Sequence, residues 1–274
     1  MQLNLKGKVV LVTGKCANST NLSNETDNLK GGTKGIGRAI VEGFLAEGAF
    51  VHFCSRTKAE VETAAAELST LATQSSGTIS GATVDITQPK QVKDWVMEVS
   101  ASEGQIDAVV SNVSSISVTN TPEAWNAAYS TDMLGTVSLI DACLPYLEKT
   151  KGSIITISSV SGRDIDFTAP SPYGAFKAAL IHYTAQLAHT LAPKGVRANT
   201  VSPGNIYIAD GVWGGIEKGN PELFNNQLAK NPMGRMGKAS EVADVVVFLA
   251  SERASFVSGT NVVVDGSLCT GVQF

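Results

Sequence analysis

The chain has 274 residues, 43% of them hydrophobic and 17% charged, which excludes a disordered chain and leaves ample material for a core. A net charge of −4 supplies neither the basic footprint of a nucleic-acid binder nor a polybasic membrane patch. Cys16, Cys54, Cys143 and Cys269 are widely spaced, form no Cys-x-x-Cys pair and read as free thiols of a reducing compartment. Met1–Lys6 has no apolar signal region and Val245–Ala250 is far too short to span a bilayer, so a cytoplasmic protein without membrane contact is expected.

Lys8–Thr13 is a β-branched run that reads as a buried strand ending at Gly14. Gly35-Ile36-Gly37-Arg38 opens a helix that stops near Gly48. Ala49–Cys54 is a strand, Lys58–Thr73 a helix, Thr78–Val84 a strand ending at Asp85, and Pro89–Ser102 a helix. Ile106–Val110 is the fourth strand, and Pro122 to about Leu147 reads as one long helix. The alternation continues with a strand at Ser153–Ile157, a helix at Tyr173–Ala192 closed by Pro193, and a strand at Val196–Val201. Ser240–Ala250 is a helix with Ser240 as N-cap, and Asn261–Val264 is the last strand. This rhythm predicts a single α/β domain over residues 1–274: a doubly wound parallel sheet with helices on both faces.

Two segments break the rhythm. Residues 15–31 are polar and Asn-rich, and interrupt a strand-to-helix turn that normally takes about 2–6 residues. Residues 205–237 hold Tyr207, Trp213 and Phe224; they read as a substrate lid with exposed aromatics, or alternatively as a surface subdomain with its own small core.

Three groups of residues carry chemistry. Glycines between a strand and a helix, here Gly14 and Gly35-Ile36-Gly37, let backbone approach a pyrophosphate at a helix N-terminus. At the second strand's end a carboxylate would select NAD; Arg56 stands there instead, with Lys34 as a further cation, so NADP(H) is expected. Asp85 is placed to accept from the adenine amino group or to cap its own loop. Finally, Tyr173 and Lys177 lie four apart on one helix face, and Ser159 ends the preceding strand. A tyrosine titrates near about 10, and an adjacent ammonium favours its phenolate.

With these residues assembled, the chain resembles the short-chain dehydrogenase/reductase family, of Rossmann-like fold, over nearly its whole length. The resemblance rests on Gly14 with Gly35-Ile36-Gly37, on Asp85, Asn112 and Ser159, and on Tyr173-Gly-Ala-Phe-Lys177. Asn199-Thr-Val-Ser-Pro203-Gly204 and Ser258-Gly-Thr-Asn-Val-Val-Val-Asp265-Gly266 extend it to the C-terminal part. The 3-oxoacyl-carrier-protein reductase-like members are the nearest in flavour. The resemblance implies an NADP(H)-dependent oxidoreductase that interconverts a ketone and a secondary alcohol of small-molecule size; the competing expectation is a cofactor-binding regulator on the same fold. It implies Tyr173 as general acid, Lys177 as the cation beside it and ligand of the nicotinamide ribose, and Ser159 as hydrogen-bond donor to the carbonyl. Asn112 and the stretch Pro203, Gly204 and Ile206 would line the cofactor, and a homotetramer or homodimer would form through the helices at 122–147 and 173–192.

The chain departs from the family pattern in three places. The family's Asn-Asn-Ala-Gly is Ser111-Asn112-Val113-Ser114; the helix Asn that relays protons through a water falls on Asp132; and the Thr after Pro-Gly falls on Ile208. Removing residues 15–31 would rejoin Thr13-Gly14 to Gly32-Thr-Lys34-Gly35-Ile36-Gly37, the uninterrupted family turn. The codons open to Gly14-Lys15-Cys16 can hold a splice donor and those of Lys30-Gly31 an acceptor, so the segment reads as an in-frame retained intron or as a loop over the cofactor.

Overall fold

The computed structural model describes residues 2–14 and 35–272. The segment 15–31, with Cys16, and Lys34 lie outside the described residues. Strand β1 (Val9–Thr13) is buried at every position, as its unbroken apolar run requires. It is followed by α1 (Gly35–Ala46), β2 (Phe50–Ser55), α2 (Lys58–Gln74), β3 (Thr78–Thr83), α3 (Pro89–Glu103) and β4 (Ala108–Ser111). The second half holds α4 (Pro122–Ala128), α5 (Gly135–Thr150), β5 (Ser153–Ile157), α6 (Pro172–Leu191) and β6 (Arg197–Pro203). Then come α7 (Val212–Gly219), α8 (Pro221–Leu228), α9 (Ala239–Ala250) and β7 (Asn261–Val264).

The seven strands pair in parallel in the order β3-β2-β1-β4-β5-β6-β7. Burial follows this order: β1, β4 and β5 are wholly buried, whereas the edge strands β3 and β7 are only partly covered. On one face Phe44, Leu45, Val61, Leu68, Val242 and Val246 from α1, α2 and α9 pack on the sheet. On the other, Trp95, Val96, Leu139, Ile140, Leu147 and Leu191 from α3, α5 and α6 do so. Burial of this apolar surface is the main stabilising term. No described helix is long and apolar enough to cross a membrane.

The structure corrects the sequence reading at three elements. The expected long helix from Pro122 is broken by a π-helical turn at Tyr129–Leu134, so α4 and α5 are separate pieces. The turn Tyr129–Leu134 holds neither Gly nor Pro, so no breaker in the sequence marks it. Helix α9 takes Lys238, not Ser240, as its N-cap: Glu241 accepts the Lys238 N–H at 2.7 Å and ion-pairs with Arg235, starting the helix before Ser240. Those Arg235 hydrogen bonds, with the Lys238 N–H, hold the Glu241 carboxyl at about 2. In residues 205–237, Trp213 and Phe224 are not exposed, at 8% and 9%. They pack with Met236, Ile216 and Leu228 into a small separate core, leaving Tyr207 as the partly exposed aromatic.

Candidate active site

A parallel sheet gathers all its strand ends on one edge, and the order reverses between β1 and β4, which opens a crevice there. The crevice walls are tied by Thr13, whose Oγ1 donates to the Val110 carbonyl at 3.3 Å and accepts the Asn112 N–H at 3.1 Å. The Gly14 N–H donates to the Cys54 carbonyl at 2.9 Å. Gly14, Arg56, Val84, Ile86 and Val113 surround a narrow slot beside it. Three aliphatic walls and a cation suit a flat base next to an anionic group. Asp85 is braced within its own turn: its Oδ1 accepts from the Thr87 N–H at 3.0 Å and the Thr87 hydroxyl at 2.8 Å, leaving Oδ2 outside that turn.

Gly35, Ile36 and Gly37 form the first turn of α1, and a Cβ on Gly35 would stand 3.2 Å from Ile208 Cδ1. The first turn of α1 therefore meets the segment that follows β6. There Gly204 donates to the Val264 carbonyl at 2.9 Å and Ile206 bridges to Gly237. The buried side-chain amide nitrogen of Asn205 has no hydrogen-bond partner among the described residues, an unpaired donor that the sequence reading missed.

Ser159 follows β5 and starts a 3₁₀ turn at Val160–Gly162, accepting the Ser161 N–H at 3.1 Å. This turn rests directly on α6. A Cβ on Gly162 would come within 2.6 Å of the Lys177 carbonyl carbon, and one on Gly174 within 2.6 Å of the Ser161 carbonyl oxygen. Glycine at both places lets the serine turn press against the first two turns of the helix that carries Tyr173 and Lys177. Ser158 adds a hydrogen bond from its hydroxyl to the Lys177 carbonyl at 2.8 Å.

The structure thus brings Ser159, Tyr173, Lys177 and Asp132 to one place. The Lys177 ammonium lies 5.9 Å from the centre of the Tyr173 ring. Its three donors meet three acceptors: Asp132 Oδ1 at 3.0 Å, the Ile157 carbonyl at 3.1 Å and the Val113 carbonyl at 3.3 Å. Lysine and aspartate side chains are each 3% exposed, a buried ion pair held from both sides, since Asp132 Oδ2 also accepts the Ser115 N–H at 2.8 Å. The π turn carries Asp132 to this position. Sequence alone placed Asp132 near Lys177 by resemblance; the direct ion pair in place of a water relay is the structure's addition.

A further chain leaves Ser159 on its other side. Its hydroxyl donates to Ser161 Oγ at 3.2 Å, and the Ser161 hydroxyl donates to Asp166 Oδ2. Asp166 Oδ1 accepts the Thr168 N–H at 2.9 Å and its hydroxyl at 2.6 Å. Neither Ser161 nor Asp166 was singled out from the sequence; the only signal was a Ser-x-Ser after a strand. Next to Asp166, Phe167 packs on Trp213 of α7 with ring centres 5.6 Å apart, joining residues 205–237 to this loop. Tyr207 donates to Glu217 at 2.6 Å, which holds its phenol above the ordinary value. No group of three His, Cys, Asp or Glu side chains among the described residues is placed to hold a metal.

A family model described as enoyl-(acyl carrier protein) reductase matches residues 31–268, beginning at the last residue of the segment 15–31. The chain is 40% identical over 247 residues to isoepoxydon dehydrogenase patN of Penicillium expansum, covering 90% of this chain and 95% of that protein. It is 35% identical over 271 residues to L-fucose dehydrogenase of Mus musculus, covering 95% and 88%. Among solved structures, L-sorbose reductase from Gluconobacter frateurii, complexed with NADPH and L-sorbose, superposes with a TM-score of 0.82 at 26% identity, covering 99% of this chain and all of that one. Sequence, sheet order and strand-edge crevice agree, and the chain belongs to the short-chain dehydrogenase/reductase family of oxidoreductases.

Proposed function

We propose that the protein is an NADP(H)-dependent oxidoreductase that interconverts a small-molecule ketone and a secondary alcohol at Ser159, Tyr173 and Lys177. The observation that carries this reading is the docking of the Ser159 turn onto α6, the helix whose buried Lys177 ammonium lies 5.9 Å from the Tyr173 ring centre. Bound NADPH supplies the hydride for the carbonyl carbon. Tyr173 gives its phenolic proton to the oxygen, and the Lys177 ammonium favours the phenolate left behind. Ser159 donates to the same oxygen and fixes its direction. Asp132 keeps Lys177 in register through the ion pair at 3.0 Å.

The donor set fits the cofactor. Gly14, Gly35, Ile36 and Gly37 would take the pyrophosphate at the start of α1, and Arg56, with Lys34, the 2′-phosphate. Asp85 Oδ2 and the slot of Val84, Ile86 and Val113 suit an adenine, and Asn112 borders the adjoining ribose side. Lys177 would hold the nicotinamide ribose by turning one donor from a backbone carbonyl, the 3.3 Å bond to Val113 being the longest, to a ribose hydroxyl. Pro203, Gly204 and Ile206 would border the nicotinamide, with the unpaired Asn205 amide as an available donor. The NADPH in the L-sorbose reductase complex supports this choice of cofactor. Residues 205–237 serve as the lid, closed through Trp213 on Phe167. Exposed Trp125, Tyr129 and Leu134 supply an apolar surface for a homotetramer or homodimer at the expected helices.

The test is NADPH consumption across a ketone panel by the wild type and by Tyr173→Phe. The variant keeps the ring and loses the transferable proton, so turnover should fall by on the order of 10²–10⁴-fold while NADPH binding stays within about twofold. Turnover unaffected by the substitution removes the assignment. Cofactor binding without turnover of any ketone marks the chain as a regulator instead.

A further inference from the structure

We infer that Ser161, held by Asp166, makes this site selective for α-hydroxy ketones and their vicinal diols, an inference that rests on the ketone reading above. The direction of the hydrogen-bond chain is fixed at its far end. Asp166 is a carboxylate whose Oδ1 is committed to Thr168, and it can only accept. The Ser161 proton is therefore spent on Asp166 Oδ2, and Ser161 Oγ faces Ser159 as an acceptor. In the free site Ser159 satisfies that acceptor with its own proton, at 3.2 Å.

Reduction changes this balance. To polarise a carbonyl, Ser159 must turn its proton from Ser161 to the substrate oxygen. Ser161 Oγ, next to the Ser159 hydroxyl, is then left with an empty acceptor position and no proton to give. A hydroxyl on the carbon next to the carbonyl fills it: the two oxygens of an α-hydroxy ketone sit about one hydrogen-bond length apart, as Ser159 and Ser161 do. One oxygen takes the Ser159 proton and the other gives a proton to Ser161. A plain ketone leaves Ser161 to water. An α-diketone sets a carbonyl lone pair against the Ser161 lone pair, and is disfavoured. The balanced reaction is α-hydroxy ketone, NADPH and one proton to vicinal diol and NADP⁺, with the hydride passing to carbon and the Tyr173 proton to oxygen. Ser161 touches the substrate, and Asp166 is a positioning residue that sets the polarity of Ser161.

Acetoin, butanone and diacetyl share one carbon skeleton and probe the three cases. The wild type should prefer acetoin to butanone by about tenfold or more in kcat/KM, the size expected when a site's acceptor is paired or left bare. Ser161→Ala should bring that ratio down by about tenfold. Asp166→Asn is the sharper variant. Its Oδ1 keeps Thr168, while its amide donates to Ser161 and frees the Ser161 proton for the cleft. The diacetyl-to-acetoin ratio should then rise by about tenfold over the wild type, a reversal that mere loosening of the loop would not produce. Should Asp166→Asn fail to fold, Ser161→Ala decides by its acetoin-to-butanone ratio. Active enzymes with all ratios unchanged overturn the inference and leave the ketone reading standing. No turnover of any of the three by the wild type overturns the inference, while turnover elsewhere in the ketone panel decides the ketone reading separately.

Discussion

Asp132 shows what one carboxylate changes in a buried site. It stands 3.0 Å from Lys177 where the resemblance led one to expect an amide, so the ammonium beside Tyr173 arrives already paired. Asp132→Asn keeps the acceptor for the Ser115 N–H and removes the charge that offsets Lys177. Activity should persist, with the acid–base limb of the pH–rate profile moved to lower pH; a folded but inactive Asn variant would contradict this. His52 gives a second prediction. Burial holds its imidazole below the ordinary 6.5, against the upward pull of Glu103 at 3.0 Å. As pH falls below about 6.5 the unfolded chain takes up this proton before the folded one, so stability declines until the folded group titrates as well. His52→Gln should flatten the fall in the urea midpoint between about pH 7 and about pH 5. The positions of Ser159, Tyr173 and Lys177 were legible because strand ends and four-residue helical spacing are local facts. The chain from Ser161 to Asp166 was not, since it depends on the path of an irregular loop.

Among the elements, the segment 205–237 carries the clearest consequence of packing. Its helices α7 and α8 bury Trp213, Phe224 and Met236 in a cluster separate from both sheet cores. Trp213→Ala should cost this cluster about 3–5 kcal/mol. Because the cluster is separate, the loss should appear as local opening: KM rises, amide exchange speeds up in residues 205–237, and the main thermal transition moves little. An undivided drop in the main transition would show that the segment is welded to the rest. The strands and most helices here were legible from apolar runs and periodicity. The π turn after α4 and the early start of α9 were not, because the first contains no Gly or Pro to announce it and the second is set by the Arg235–Glu241 pair.

For the molecule as a whole, the strand order was legible as a class, a doubly wound parallel sheet, from the alternation alone, and the pairing register came only with the structure. The segment 15–31 divides Gly14 from the glycines of α1, and the family match starts only at residue 31. Deleting residues 15–31 joins Thr13-Gly14 to Gly32 and should tighten NADPH binding severalfold, measured as Kd by fluorescence titration; equal or tighter binding by the full chain would refute this. The position of β1 has a consequence for how the chain is made. Strand β1 lies inside the sheet, beside the central β4, and precedes in the chain both of its neighbours, β2 and β4, the second of which ends only at Ser111. Until then one edge of the Val-rich β1 waits with its backbone N–H and C=O groups unpaired, a window in which a nascent chain is open to misassociation. The last strand, β7, joins an outer edge and is half-covered even when in place. Early interruption of synthesis should therefore yield aggregating fragments, and loss of the extreme C-terminus a chain that still builds its centre.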